Sequence, residues 1–540
     1  MAAATAEAAT ASQTEPQSGP QAAPVAPADD QIDPKRLITF LLMVLGMFMA
    51  ILDIQIVSAS LSQIQAGLAA SGDEIPWIQT AYLIAEVIMI PLSGYLSRML
   101  STRWLFTISS AGFTLMSLLC GLSNNIGEMI LWRALQGFIG GAMIPTVFAS
   151  AYTIFPRSKM HIVSPMIGLV ATLAPTIGPT LGGYLTEYLS WHWLFFINVI
   201  PGIVVTTAAF ALIDFDKPDL SLFNRFDWWG FLGLGLFLGA MEYVLEEGAG
   251  DDWFADRTIV LLTAVMVIGG FLFFWRAFTA EEPIVRLDAF ADRNFAMGSL
   301  FSFGLGIGLY GLIYIFPVYL SGVRHYNSLQ IGEAMMVSGV AMFLTAPLAG
   351  RFSRSVDPRI MMGVGFVMFA ASCWMMTGLT SDWDYWQIFL PQILRGMSLM
   401  MCMVPVSNIA LGMLPPEKVK NASGLFNLTR NLGGAVGLAL INTTLTHRQD
   451  VHYARLAEAV NSTSAPAGQA LDMLSGAYAS LGDAAQTAAL SSITQMAKGQ
   501  ALIMSLADIF LLLCGLFVGL GLMLVFVAKP GAGAGGGGGH

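Results

Sequence analysis

The acidic residue Asp53 lies in a long apolar stretch near the start of the chain, within LDIQIV (52–57). A carboxylate inside a membrane helix costs about 2.5–3.5 kcal/mol even on lenient insertion scales, so it usually has a function or a neutralising partner. Arg133 is the natural partner, because a buried guanidinium keeps its proton and needs an anion or hydrogen-bond acceptors. We therefore expect an Asp53–Arg133 pair, which serves either an ion pathway or a static structural role.

Other acids compete with Asp53. Glu86 lies deepest in its apolar segment and is the second candidate for proton coupling. Four further acids lie near segment ends, where we expect them to reach headgroups or water: Glu242, Glu246, Glu333 and Asp508.

The composition indicates a polytopic helical membrane protein. Of the 540 residues, 55% are hydrophobic and only 11% are charged, whereas soluble proteins are about 25% charged. The apolar residues fall in blocks of about 20, the length that a helix needs to cross hydrocarbon. We predict fourteen transmembrane helices, at residues 37–57, 77–97, 104–122, 127–147, 163–185, 193–213, 228–245, 258–277, 297–320, 331–351, 360–378, 387–411, 423–445 and 502–527.

Basic residues predict the orientation. Seventeen of the 25 lysines and arginines would lie on the side of the N-terminus, five on the opposite side, and Arg133, Arg395 and Arg430 inside spans. Because basic loops stay in the cytoplasm, we expect both termini to be cytoplasmic.

An internal repeat predicts the architecture. GYLSRMLSTR (94–103) and GRFSRSVDPR (350–359) share the pattern G-x-[LF]-S-R-x4-R, each at a predicted tight turn. Two related six-helix halves with a site between them are typical of alternating-access transporters. The predicted organisation is a disordered tail (1–33), a six-helix half (34–213), two inserted helices (214–280), a second six-helix half (281–528) with a long outer loop (447–500) carrying one or two short helices, and a flexible Gly-rich tail (529–540).

Two stretches could change shape or accommodate varied ligands. APTIGPTLGG (174–183) presents small residues that let helices approach closely and prolines that permit bending, so it is either a tight packing face or a flexing seam. RGMSLMMCMVP (395–405) is rich in methionine, which suits many apolar shapes. Core filling is an equally good explanation of these methionines.

Enzyme signatures are absent from the sequence, which has no P-loop, HExxH or GxSxG motif. The four cysteines fall in separate spans without metal-ligand spacing, so we expect no metal site. We therefore expect a protein that is not an enzyme.

These motifs resemble the major facilitator superfamily, specifically its fourteen-helix drug:proton antiporter branch, and within it the EmrB-like pumps of Gram-negative bacteria. The resemblance rests on LDIQIV, RALQG (133–137), APTIGPTLGG and LPPEKVKNASGLFNLTRNLGG (414–434). The sequence departs from the family where Gln55 replaces a threonine, Arg98 replaces the acid that latches the two halves, and Ser101 replaces a glycine.

The resemblance implies the all-α major facilitator fold, a location in the bacterial inner membrane, and export of hydrophobic drugs, weak acids or uncouplers in exchange for protons. It implies no cofactor beyond the proton gradient. It also implies an EmrA-like periplasmic adaptor and a TolC-like outer-membrane channel as partners. Two alternatives stay open: a facilitator-fold transporter of another substrate (a lipid, metabolite or siderophore), and a non-transporting membrane sensor or scaffold.

The residues and the resemblance together give three sets of candidates. For proton coupling they are Asp53, Arg133 and Glu86. For the substrate cavity they are Gln55, Gln136, Met397, Met401, Arg395, Asn427 and Arg430. For conformational motifs they are Gly94, Arg98, Arg103, Pro175, Gly178, Pro179, Gly182 and Gly183.

Overall fold

A computed structural model of the chain describes residues 33–58, 60–72, 74–459 and 465–527. These residues form α-helices and short 3-10 helices, and none of them lies in a β-strand. The two predicted tails fall outside the described residues, apart from Asp33.

The first bundle of helices precedes residue 213. Its helices are α1 (Pro34–Ser58), α2 (Leu61–Leu68), α3 (Trp77–Gly121), α4 (Ile126–Gly140), α5 (Met143–Ile154), α6 (Met160–Tyr188), α7 (Trp193–Phe196) and α8 (Val199–Leu212). We call the end of the molecule at which α1 begins the near end, and the end at which α1 finishes the far end.

A pair of helices and a second bundle follow. The pair is α9 (Trp228–Glu247) and α10 (Arg257–Thr279). The second bundle contains α11 (Arg293–Gly322), α12 (Ser328–Ser355), α13 (Pro358–Met376), α14 (Tyr385–Leu411), α15 (Pro416–Ala459), α16 (Ala465–Ala477) and α17 (Ala485–Met523). The 3-10 helices are Arg157–Lys159, Leu220–Arg225, Trp253–Ala255, Leu287–Ala291, Ala479–Ala484 and Leu524–Phe526.

The two bundles meet along two seams. In one seam α6 packs against α12 and α14, and in the other α3 and α5 pack against α15. The helix α9 contacts α10, α3 and α15, so the inserted pair covers the second seam. Close backbone approach tightens the first seam: a Cβ added to Gly332 of α12 would lie 2.6 Å from the Cα of Thr180 in α6.

The chain is interrupted inside α3. An unbroken helix of 45 residues would be about 67 Å long, more than twice the roughly 30 Å of hydrocarbon in a bilayer. Ser101 breaks it, with φ 77° and ψ 158°. The predicted tight turn at 94–103 is therefore a helix with a single non-helical residue, whereas its repeat partner contains a true helix end at Ser355.

The predicted outer segment at 447–500 contains a short helix, α16, as expected, but the neighbouring helices extend into it where a loop was predicted. In the described part of this segment α15 continues to Ala459, α16 follows, and α17 begins at Ala485. Helices of 44 and 39 residues are longer than a bilayer requires at 1.5 Å per residue. We define the far-end extension as the described residues of 447–500, which are 447–459 and 465–500.

Twelve helical segments among the described residues are long and apolar enough to cross a membrane. They correspond to the predicted spans, with two differences. The two spans predicted on either side of residue 101 lie together in α3, and α15, whose central stretch carries Asn427, Arg430 and Asn431, is not among the twelve. The chain is thus an all-helical polytopic membrane protein.

Candidate functional site

A cavity of about 420 Å³ lies between the two bundles, toward the far end. It is bordered by residues from both bundles and from the inserted helix α9. Six of its lining residues are Gln55, Pro179, Glu246, Tyr310, Tyr314 and Asn442. Pockets of about 300–1,000 Å³ are typical of small-molecule sites, so this cavity can hold a small ligand.

A smaller chamber of about 70 Å³ adjoins the cavity and shares Gln55, Glu246 and Tyr310 with it. The chamber is also lined by Glu86 of α3 and Glu242 of α9. Three carboxylates from two helices therefore border one connected space in the interior of a membrane protein.

Glu86 and Glu242 are both buried, with 2% and 6% of their surfaces exposed. The Oε1 atom of Glu86 has no hydrogen-bond partner. Within the described chain neither carboxylate forms an ion pair or a hydrogen bond. The expectation that Glu242 reaches headgroups or water was wrong, because the packing of α9 against α3 and α15 turns this face of α9 inward. Glu246 is only partly buried and borders the larger cavity, so the same expectation stays a prediction for this residue.

The predicted ion pair between Asp53 and Arg133 is present, with 2.5 Å between Asp53 Oδ2 and Arg133 Nη1. Both side chains are fully buried. Asn198, which immediately precedes α8, donates from Nδ2 to Asp53 Oδ1 at 2.7 Å. Arg133 also donates to Gln136 Oε1 at 2.7 Å and to the carbonyl oxygen of Ile78 at 3.2 Å. This network joins α1, α3, α4 and α8 within the first bundle.

The Asp53 pair lies beside the cavity and does not line it. Gln136, which we predicted for the cavity, belongs to this network and is 0% exposed. Tyr82 covers the other face of the guanidinium, with its ring centroid 4.3 Å from Arg133 Cζ. Arg133 nevertheless acts electrostatically on Glu86, as does Asp53. The pair and the chamber are thus electrostatically connected.

Of the residues predicted for the substrate cavity, Gln55 lines it. Met397 instead lines a groove of about 530 Å³ between α12 and α14, together with Glu333. Met401 packs on the hydrophobic core. Arg395 is buried and donates to Ser338 Oγ at 2.6 Å.

Arg430 and Asn427 lie inside α15, and Arg430 donates to Asn427 Oδ1 at 2.9 Å. Neither residue lines the cavity. Two other nitrogen atoms of Arg430, Nε and Nη1, have no partner among the described residues. Arg430 is the cation whose charge acts most strongly on Glu86. It therefore belongs to the electrostatic surroundings of the chamber.

At the near end the two bundles are in direct contact. A Cβ added to Gly94 of α3 would lie 2.8 Å from the Cα of Asn421 in α15. Ser423 Oγ donates to the carbonyl oxygen of Pro145 at 3.0 Å. Ser164 Oγ donates to Asn408 Oδ1 at 2.6 Å. The cavity is therefore closed from this end.

A carboxylate that the sequence did not single out, Asp216, connects several near-end elements. It accepts hydrogen bonds from the backbone nitrogen and the hydroxyl of Thr102, each at 3.0 Å. Lys420 of α15 forms an ion pair with the same carboxylate. Asp216 thus joins the two bundles next to Ser101. No signal in the sequence marked it, because the partners come together only in the fold.

The remaining motif residues lie at helix contacts. Arg98 faces Glu282 at 3.7 Å, and Arg103 lies over the ring of Phe210 at 4.7 Å. On α6, a Cβ added to Gly178 would lie 2.5 Å from Gln55 Cβ, and one added to Gly182 would lie 2.7 Å from the carbonyl oxygen of Ile56. Pro175 and Gly183 are buried on the same helix. Their proposed part in conformational change stays a prediction.

Comparison with known proteins places this geometry in a family. Residues 43–438 match the model of the Major Facilitator Superfamily. The chain is 43% identical over 474 residues to the colistin resistance protein EmrB of Acinetobacter baumannii, covering 88% of this chain and 93% of that protein. It is 33% identical over 477 residues to the multidrug export protein EmrB of Escherichia coli, covering 88% and 92%.

A solved structure agrees on the fold. The human organic anion transporter MFSD10 (TETRAN) superposes with a TM-score of 0.56 at 12% identity, covering 90% of this chain and 100% of that one. The helices and the relatives make this chain a multi-pass protein of the bacterial inner membrane. The chain belongs to the Major Facilitator Superfamily and, within it, to the EmrB-like multidrug efflux proteins.

Proposed function

We propose that this protein exports hydrophobic drugs across the inner membrane in exchange for protons. The observation that carries the proposal is Glu86, a buried carboxylate without a partner that borders the space between the two bundles. A charge buried without a partner is costly, so the carboxylate takes up a proton or a cationic group. Intramembrane acids of this kind mark ion pathways.

The structure favours Glu86 over Asp53 as the group that exchanges a proton with the cavity. The sequence put Asp53 first, yet Asp53 is matched by Arg133 and Asn198 and does not reach the cavity. We infer that protonation of Glu86 removes a negative charge near Arg133 and so changes the electrostatic energy of the Asp53–Arg133 pair. Because this pair joins helices of the first bundle, their packing then depends on whether Glu86 carries a proton.

We further propose that the near end faces the cytoplasm, with both termini there, and that fourteen helices cross the membrane. The two arms of α3 on either side of Ser101 each make one crossing, and the polar helix α15 makes another. The first bundle (34–213), the inserted pair (214–280) and the second bundle (281–528) then follow the order six, two, six. In this arrangement the structure is closed toward the cytoplasm, and its cavity lies toward the periplasm.

A tripartite pump is the proposed assembly. An EmrA-like adaptor and a TolC-like channel would receive the drug on the periplasmic side. The far-end extension (447–500) is the proposed contact for the adaptor, because it reaches beyond the length that a bilayer needs. At its base, Asp508 of α17 pairs with Arg448 at 2.7 Å and with His452 at 2.8 Å, which holds α15 against α17.

The names of the relatives bear on the substrate. One is a colistin resistance protein and another a multidrug export protein. We propose that this chain likewise handles toxic amphipathic compounds.

The test is transport by purified protein in proteoliposomes under an imposed pH gradient. We expect the gradient to drive movement of a fluorescent drug such as ethidium. Glu86→Gln is expected to abolish the dependence on the gradient, whereas Glu187→Gln, an exposed acid on α6, is expected to behave as wild type. Transport that is unchanged when the gradient is collapsed would contradict proton exchange. No movement of any drug in a broad panel would favour another substrate or a sensor.

A further inference from the structure

The inserted helix α9 covers the seam between α3 and α15, and it also contributes acidic side chains to the cavity. Glu242 and Glu246 are one helical turn apart and lie on the face of α9 that borders the chamber. Glu246 also borders the larger cavity. The pair of inserted helices therefore supplies two of the three carboxylates that surround this space.

These carboxylates lack a counter-charge. The charged groups that act on Glu242 are Glu246 and Glu86, both acidic, and the one that acts most on Glu246 is the neighbouring Glu247. Two cations lie nearby: Arg430 of α15, which acts on Glu86 and Tyr310, and Arg133 of α4, which also acts on Glu86 but is already paired with Asp53. Among the described residues none forms an ion pair with Glu86, Glu242 or Glu246. Negative charge is thus in excess around the chamber.

A second observation indicates that a ligand supplies the positive charge or the hydrogen-bond donor that the chamber's acids are missing. The Oε1 atom of Glu86 is buried, has no hydrogen-bond partner and belongs to a side chain that lines the chamber. Such an atom is normally satisfied in a native protein. The Oδ1 atom of Asn431, which lines the same chamber, is also without a partner. The chamber therefore contains two buried acceptor oxygens that no donor of the described residues satisfies.

The adjoining walls suit an organic cation better than a metal ion. Tyr310 and Tyr314 line the cavity beside apolar residues that include Leu245, Ile313 and Leu438. Aromatic faces attract cations, and apolar walls favour a ligand with a large hydrophobic body. A small hydrated metal ion would gain nothing from these walls.

We propose that Glu242 and Glu246 of the inserted helix, with Glu86, form a subsite for the charged group of lipophilic monovalent cations, whose apolar body occupies the neighbouring cavity. This inference rests on the proposed function and assigns its substrate class. In the absence of a substrate, protons neutralise the same carboxylates. A cation that enters the chamber displaces protons from them, so the two ligands exclude each other and exchange follows.

The experiment compares two ions of matched size and opposite charge. (4-Phenylbutyl)trimethylammonium and 4-phenylbutane-1-sulfonate, each with its charge at the end of an apolar body, are added to purified full-length protein in detergent, and binding is measured by equilibrium dialysis. We expect the wild type to bind the cation and to reject the anion. Glu242→Gln and Glu246→Gln are each expected to weaken cation binding by about tenfold or more, because each removes a unit charge close to the ligand.

Glu247→Gln is the matched control. Glu247 lies on the same helix and carries the same charge, but it accepts a hydrogen bond from Thr80 at 3.3 Å and lines neither space. This variant is expected to bind the cation as the wild type does. Thermal unfolding of all variants shows whether they fold, and none of the three substitutions is expected to lower the melting temperature substantially.

Undiminished cation binding by Glu242→Gln and Glu246→Gln would overturn the inference, as would equal binding of the two ions by the wild type. Export of an uncharged drug, chloramphenicol, separates this failure from that of the proposed function. If chloramphenicol is exported under a pH gradient while the cation binds without these acids, the proposed function stands and the subsite does not. If chloramphenicol is not exported under a pH gradient and the cation also binds without these acids, the proposed function and the subsite are both rejected.

Discussion

At the scale of single residues, Asp53 and Glu86 are both buried carboxylates, but their surroundings differ. Asp53 is held by a guanidinium and an amide, at 2.5 and 2.7 Å. Glu86 has an oxygen without any partner and borders the chamber. The first residue therefore contributes to the packing of the first bundle, and we propose that the second exchanges ligands with the chamber.

The Asp53–Arg133 pair gives the first prediction. Replacing one partner leaves the other buried without a counter-charge, which costs about 3–5 kcal/mol in buried ion pairs. We therefore expect Asp53→Asn and Arg133→Gln each to lower the unfolding temperature in detergent. The double variant should be more stable than the sum of the two single effects implies. Additive losses would contradict a direct pairing.

Ser101 gives the second prediction. Its φ of 77° with ψ of 158° is a region that glycine occupies without strain and that costs other residues about 1–3 kcal/mol. We expect Ser101→Gly to raise the free energy of unfolding by about 1 kcal/mol. The control is Ser109→Gly, at a helical position, which is expected to destabilise by about 0.5 kcal/mol. Destabilisation by Ser101→Gly would show that this backbone carries no strain.

The sequence predicted some of these residues and missed others for a physical reason. Asp53 and Arg133 could be paired in advance because each is a charge in the interior of an apolar segment. Glu242 lies near a span end, where a side chain reaches water unless another helix covers it. The covering helices are α3 and α15, and no local pattern in α9 reveals that contact.

At the scale of helices, the apolar blocks predicted where the chain crosses the membrane but not how the crossings are joined. The turn at 94–103 could not be recognised as a helix with one interrupted residue, because its motif matches a true turn at 350–359. The far-end extension was also missed. Its Ala-rich composition is compatible with short surface helices as well as with the continuation of α15 and α17.

The near-end contact through Asp216 gives the third prediction. This carboxylate binds Thr102 of the first bundle and Lys420 of the second. We expect Asp216→Asn to weaken this link and to shift the molecule toward a form that is open at the near end.

The measurement is the distance between spin labels at residues 104 and 360, both exposed positions near that end, in a background without the four native cysteines. Asp216→Asn should add a longer component to the distance distribution. Asp219→Asn, in the same loop but with its carboxylate hydrogen-bonded to the nearby Ser221, should leave it unchanged. Identical distributions for Asp216→Asn and the wild type would show that other contacts alone keep the near end closed.

At the scale of the whole molecule, the two bundles form one cavity, one closed end and one electrostatic region that connects them. The acids that border the cavity lie toward the far end. Glu86 interacts electrostatically with Arg133 of the first bundle and with Arg430 of the second. A change of charge at Glu86 is therefore felt on both sides of the seam. This is the arrangement that an exchange of protons for drug requires, because each ligand can shift the same equilibrium between two forms.

The most direct test is proton release from purified protein in detergent when a lipophilic cation such as (4-phenylbutyl)trimethylammonium is added at near-neutral pH. The wild type is expected to release protons, because the drug displaces them from the chamber. Glu86→Gln is expected to release fewer, and Asp53→Asn is expected to retain release, since Asp53 is already matched by Arg133. Binding of the drug by the wild type without proton release would contradict proton exchange, and release lost only in Asp53→Asn would assign the proton to Asp53 instead.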